Sequence, residues 1–178
     1  MKGNWLVERI RVFLIDTYVL YRDGIRAALS LEEDIEVIGE ARGYEDAFSQ
    51  LQRLSPEVVV FAPRCFSENG LELVRQVKQQ SPAVPVIVIS TNEDEDELFV
   101  ALRAGAAAFF TREISSKELS DAIRRTFHGE YVINESLLTR PRVASRLLGQ
   151  FQDFSILGED VVSLFSPLSH RETEILSY

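Results

Sequence analysis

A chain of 178 residues has room for one full domain plus an appendage. With 46% hydrophobic and 26% charged residues it can bury a proper core, while a net charge of −9 sets it against gripping nucleic acid or an anionic membrane by itself. The single cysteine excludes an internal disulfide framework, the opening MKGNWLVER lacks a signal-peptide core, and no apolar run approaches a membrane span. A cytoplasmic, acidic, globular protein with no membrane partner is expected.

Apolar runs alternate with helical patterns from Ile10 to Phe127. Strands are expected at Arg11–Ile15, Ile35–Glu40, Val58–Phe61, Val84–Ile89 and Ala107–Phe110. The helical stretches between them are Val19–Ser30, Tyr44–Leu54, Gly70–Gln80, Glu93–Ala104 and Ser116–His128. Five βα units imply a parallel sheet covered on both faces and joined by right-handed crossovers. Val58–Phe61 is a continuous apolar run that starts after Pro56 and stops before Pro63, as a strand buried on both faces does. The core is expected to include Val12, Leu14, Val58, Val60, Val86, Val88 and Leu102. Asn92 is the expected N-cap of the fourth helix, with acids in its first turn, and Gly105 ends it in a left-handed conformation. The run Glu93–Glu97 reads as a solvated helix start rather than a binding patch.

After His128 the alternation stops. Pro141 opens another helical pattern, with Val143, Leu147, Leu148, Phe151 and Phe154 on one face too apolar to stand alone in water. Ser169 through Glu172 forms a capping box, and the chain ends six residues later. The expected organisation is a regulatory domain over 1–128, a helical linker over 129–166, and the start of a further domain, cut short, over 167–178.

Several of these segments share a resemblance. Arg11–Asp16, Leu20–Arg26, Pro85–Ser90 and Ala104–Phe110 together resemble a bacterial response-regulator receiver domain of the NarL/LuxR type. Pro167–Leu176 looks like the opening of the LuxR-type helix-turn-helix domain. The resemblance covers about residues 10 to 128 plus the last ten. It implies a flavodoxin-like (βα)5 doubly wound sheet in the order 2-1-3-4-5, followed by the helical linker. It also implies a two-component-type transcription regulator that works as a homodimer and meets DNA through its C-terminal domain.

At the carboxyl edge of such a sheet, the resemblance implies five functional positions. Two adjacent acids and a nucleophilic aspartate hold Mg²⁺, a lysine neutralises charge on the transferring phosphoryl, and a hydroxyl then binds the product. Here those positions are Asp16, Thr17, Ala62, Arg112 and Ser90. A methyl group at Ala62 cannot accept phosphate, and Asp16 leaves too few carboxylates for Mg²⁺, with Glu68 a loop acid of no expected role. Arg112 has two readings: a surface arginine beside Glu113, or a guanidinium spanning the space over Ala62 to pair with Asp16. Phe109 occupies the family's switch-aromatic position but has no hydroxyl, and core packing explains it equally.

No metal or cofactor is expected, and no enzymatic activity. Cys65 has only Arg64 as a basic neighbour, and His128 and His170 stand apart. The expected function is a phosphorylation-independent regulatory and dimerisation domain. Its alternative is a sensor that binds a small anionic metabolite in the emptied pocket, anchored by Arg112 and Ser90. Leu98, Phe99 and Leu102, or Leu147 and Phe151, are candidate dimer surfaces, with the first and fifth helices a further possibility.

Overall fold

A computed structural model describes residues 8–62, 68–91, 94–133, 135 and 140–155. The strands are β1 (Ile10–Asp16), β2 (Ile35–Ala41), β3 (Val58–Ala62), β4 (Val86–Ser90) and β5 (Ala108–Thr111). The helices are α1 (Val19–Leu29), α2 (Tyr44–Leu54), α3 (Glu68–Gln80), α4 (Glu95–Ala104), α5 (Ser116–Phe127) and α6 (Pro141–Ser155). All strand pairs are parallel and the order is β2-β1-β3-β4-β5. The chain divides into two compact units, Met1–Arg140 and Pro141–Tyr178. Among the described residues, no helix is long and apolar enough to cross a membrane.

The central strands follow from composition. β3 and β4, VVVFA and VIVIS, are buried at every position, as sheet covered on both faces demands. Val12, Leu14, Val58, Val60, Val86 and Val88 are all core residues, whereas Leu102 is only half-buried in the last turn of α4. β4 starts at Val86 rather than Val84 because Val84 is held in a turn by the Ser81 carbonyl and Pro85 has no N–H to give. β2 is an edge strand, only half-covered along its middle. Its pairing with β1 slips between Val12 and Phe13. A side chain at Gly39 would meet the Phe13 ring and Leu54 at 2.6 Å, so the bare backbone there is what lets Phe13 bury fully.

Two helices start away from expectation: α3 opens at Glu68 rather than Gly70, and α4 opens two residues late. α4 is capped by Asp94, whose carboxylate accepts the Asp96 N–H at 2.8 Å, so the helix begins at Glu95. Asn92 lies outside the described residues. Gly105 does close α4 in the left-handed region, at φ 90°. α5 opens with a full capping box between Ser115 and Glu118. A guanidinium ties its far end down: Arg124 binds Asp34 at 2.7 and 2.8 Å and Glu32 at 2.5 Å, fixing α5 to the turn before β2. The second unit contributes α6, which Pro141 opens as expected.

Candidate functional site

β1 and β3 are neighbours in register, and their last pair is Asp16 opposite Ala62. Both are buried, Asp16 at 2% exposure and Ala62 at 1%. β4 ends beside them at Ser90, also buried, which pairs with Thr111 at the end of β5. The next residue, Arg112, donates its backbone N–H to the Ser90 carbonyl at 3.0 Å. The topology therefore brings Asp16, Ala62, Ser90 and Arg112 to one edge of the sheet. Thr17 follows Asp16 and is exposed.

Of the two readings of Arg112, the structure contains the bridge. Its Nη2 lies 3.3 Å from both carboxylate oxygens of Asp16. The contact is a single nitrogen straddling the carboxylate rather than a two-pronged fork. Arg112 Nε and Asp16 Oδ2 have no hydrogen-bond partner among the described residues. The reason is the position of the guanidinium, held against aromatic faces: its carbon lies 4.2 Å from the Tyr21 ring centre and 4.8 Å from that of Tyr18. Stacking and ion pairing together hold the guanidinium in place over the sheet edge.

Asp16 is held from three sides. The Tyr18 N–H donates to its Oδ1 at 2.7 Å, and Arg22 Nη1 donates to its carbonyl at 2.6 Å. Arg22 is itself buried and anchored by Glu40 at 2.8 Å, which also takes Arg26 at 2.9 Å. Burial nevertheless pushes the Asp16 carboxyl above its ordinary value, outweighing the Tyr18 N–H, Arg112 and Arg22, all of which pull it down.

Ser90 has an acceptor too. Its hydroxyl donates to a carboxylate oxygen of Glu97, which reaches back from the first turn of α4. Glu97 is thus part of the edge, a role the sequence did not suggest within an acidic run. A signal was available, because a hydroxyl ending one strand and an acid in the next helix's first turn fall on the same sheet edge. Tyr18 and Tyr21 were equally unmarked, although Tyr18 stands two residues past the strand-end acid.

The remaining candidates divide as follows. Phe109 is buried in β5, on the opposite side from Phe110, which packs on the main core. Glu68 opens α3 rather than standing in a loop, and its side chain lies outside the described residues. Cys65 and Pro167–Leu176, with His170, also lie outside them. Leu98 and Phe99 are buried by their own chain, so the apolar run of α4 goes into the core and they offer no docking surface. Leu102 is half-buried, Leu147 is buried, and the side chain of Phe151 is outside the described residues.

The donor set does not fit Mg²⁺. A hard divalent ion wants several oxygens, and here one carboxylate is already countered by a guanidinium at 3.3 Å. Among the described residues no group of three or more His, Cys, Asp or Glu converges.

Comparison with known proteins agrees with the fold. The family model described as response regulator receiver domain matches residues 12–124. The response regulator protein VraR of Staphylococcus epidermidis is 27% identical over 167 residues, covering 94% of this chain and 74% of that protein. The signal receiver domain of NarL from Mycobacterium tuberculosis superposes with a TM-score of 0.64 at 27% identity, over 69% of this chain and 99% of that one. The response regulator ChrA of a heme-sensing two-component system gives 0.59 at 27% identity, over 95% of this chain and 74% of that one.

Proposed function

The chain belongs to the response regulator receiver family, and from that premise we propose that it is a phosphorylation-independent receiver: a regulatory and dimerisation domain of a LuxR-type transcription regulator. One observation carries the reading. Position 62, opposite Asp16 at the sheet edge, is a buried alanine, and the charges around it are already paired. No oxygen stands there to attack a phosphoryl donor. Arg112 answers Asp16, and Glu97 supplies an anionic acceptor to the Ser90 hydroxyl. The side chains at the family's lysine and hydroxyl positions thus each already meet a carboxylate of the chain itself.

The output follows from kinship. Relatives such as VraR are response regulators, and a LuxR-family protein of Staphylococcus aureus that shares this fold is a DNA-binding response regulator. Pro167–Leu176 resembles the opening of a LuxR-type helix-turn-helix, which is the element proposed to meet DNA. The acidic receiver would then pair two copies and set the spacing of their DNA-binding domains. A net charge of −9 keeps it off the phosphate backbone. A metabolite-binding role for the same edge requires an anion to displace Asp16 from Arg112 and Glu97 from Ser90. The observed pairing gives that reading no support.

The test is intact mass after incubation with acetyl phosphate and Mg²⁺. An unchanged mass is expected. An adduct of one phosphoryl that disappears in Asp16→Asn overturns the proposal and makes Asp16 the acceptor.

A further inference from the structure

At the amino end of β3, away from the Ala62 edge, a cleft of about 140 Å³ opens between the later turns of α2 and α3. Val59 and Leu73 line it and are fully buried. Phe48, Leu51, Val77 and Val84 line it too, and each of these is only half-buried. The cleft therefore keeps apolar surface that the protein's own side chains leave partly open. No charged side chain lines it, in a chain of which 26% is charged.

Its polar groups are carboxamides and hydroxyls. Gln52 of α2 donates across to the side-chain oxygen of Gln80 of α3 at 3.4 Å, and both glutamines are exposed. A bond of that length lies at the outer limit for a hydrogen bond and is readily given up. Ser55, which also lines the cleft, ends α2 at φ 47°, the one non-glycine residue with a positive φ among those described. Helix ends usually leave that conformation to glycine, and strained residues of this kind gather at binding sites.

Size and lining together name the ligand. An apolar cavity of ~150 Å³ is enough for a benzene ring. A charged group would shed its water here and meet no opposite charge in return. Each carboxamide offers both a donor and an acceptor, which is what a neutral amide requires. We propose that the α2–α3 cleft is a binding site for a small neutral ligand with one apolar ring and an amide head, the ring seated on Val59 and Leu73 and the head exchanging hydrogen bonds with Gln52 and Gln80. The site lies at the other end of β3 from Ala62, so it is independent of the phosphorylation reading. It gives a receiver without an acceptor a place to take an input.

Benzamide is the probe, titrated into the isotope-labelled whole chain and followed by two-dimensional NMR. Benzoate and benzamidine serve as its anionic and cationic counterparts of the same shape. Benzamide is expected to shift the amide signals of α2 and α3 and to saturate, with a Kd of roughly 1–10 mM for so small a ligand, while the two charged counterparts leave those signals in place. The variant Gln52→Ala/Gln80→Ala, at two exposed positions, is expected to keep the native spectrum and to weaken binding about fivefold. Val77→Phe, which fills the cleft, is expected to abolish binding. Shifts that never saturate, or that gather around Asp16 instead, overturn the site. Equal binding of benzoate or benzamidine overturns the neutral ligand, and undiminished binding by the glutamine variant overturns the amide head. None of these outcomes bears on the acetyl phosphate test, so the two readings fail separately.

Discussion

At Arg112 a permanent charge meets a carboxylate that water hardly reaches. Removing the guanidinium leaves Asp16 buried with only a backbone N–H on its carboxylate, so Arg112→Ala is expected to lower stability by ~1–3 kcal/mol. In a double-mutant cycle with Asp16→Ala, read by urea denaturation, the two losses are expected to be clearly non-additive. Strict additivity would mean the 3.3 Å contact carries no energy. The pH dependence has a definite sign. Burial raises the Asp16 carboxyl in the folded state above its ordinary 3.8. Its contribution is therefore fully present below that value and lost as pH rises through the folded one. Asp34, held down chiefly by Arg124, runs the other way: its contribution is present above the ordinary value and lost as pH falls through the lowered one. Comparing wild type with Asp16→Asn separates the two, and the stability difference is expected to move against wild type as pH climbs from 3.8. At Ser90, Glu97→Ala withdraws an anionic acceptor from a buried hydroxyl. A loss of about 1 kcal/mol is expected, much of it absent in a Ser90→Ala background.

Among the elements, α4 is the one whose ends and faces decide most. Asp94→Ala is expected to cost about 1 kcal/mol in denaturant midpoint measurements, because it deletes the acceptor for the Asp96 N–H. A loss no greater than that of a surface alanine substitution would put the cap elsewhere. This helix also shows where the sequence stops being legible. The parallel strands could be read because β3 is an unbroken apolar run between two prolines and β4 an apolar run that opens after Pro85, and the α2 pattern, Tyr44–Leu54, matches the helix residue for residue. The start of α4 could not, since Asn92 and Asp94 are both good caps and only three-dimensional geometry chooses between them. Its apolar run looked wide enough to spare a face for a partner, yet Leu98 and Phe99 are both consumed by the core. The candidate site was legible as positions: strand ends fix where Asp16, Ala62, Ser90 and Arg112 fall. The contacts were not, because Glu97 and the two tyrosines come from neighbouring elements through side-chain reach that periodicity does not encode.

For the molecule as a whole, the ion pairs are distributed so that the top edge and the base are fixed separately. Arg112 and Asp16 close the carboxyl edge of the sheet, and Arg124 clamps α5 to Glu32 and Asp34 at the opposite end of β2 and α1. Neither needs a metal. Millimolar Mg²⁺ is accordingly expected to leave the melting temperature unchanged. A rise of several degrees, abolished in Asp16→Asn, would show that the ion finds ligands here after all.

The stacked guanidinium has a consequence for how such a chain could change over generations. Ala62→Asp alone places a new acid near a cation that is already held against two aromatic rings. The new carboxylate is expected to be tolerated in the fold and to phosphorylate poorly, since Arg112 competes for it and Thr17 leaves the metal one ligand short. Recovering the reaction takes a coordinated return at three positions, each of little use without the others. On the proposed reading, the alanine at position 62 is a state that single substitutions do not readily turn into a working acceptor.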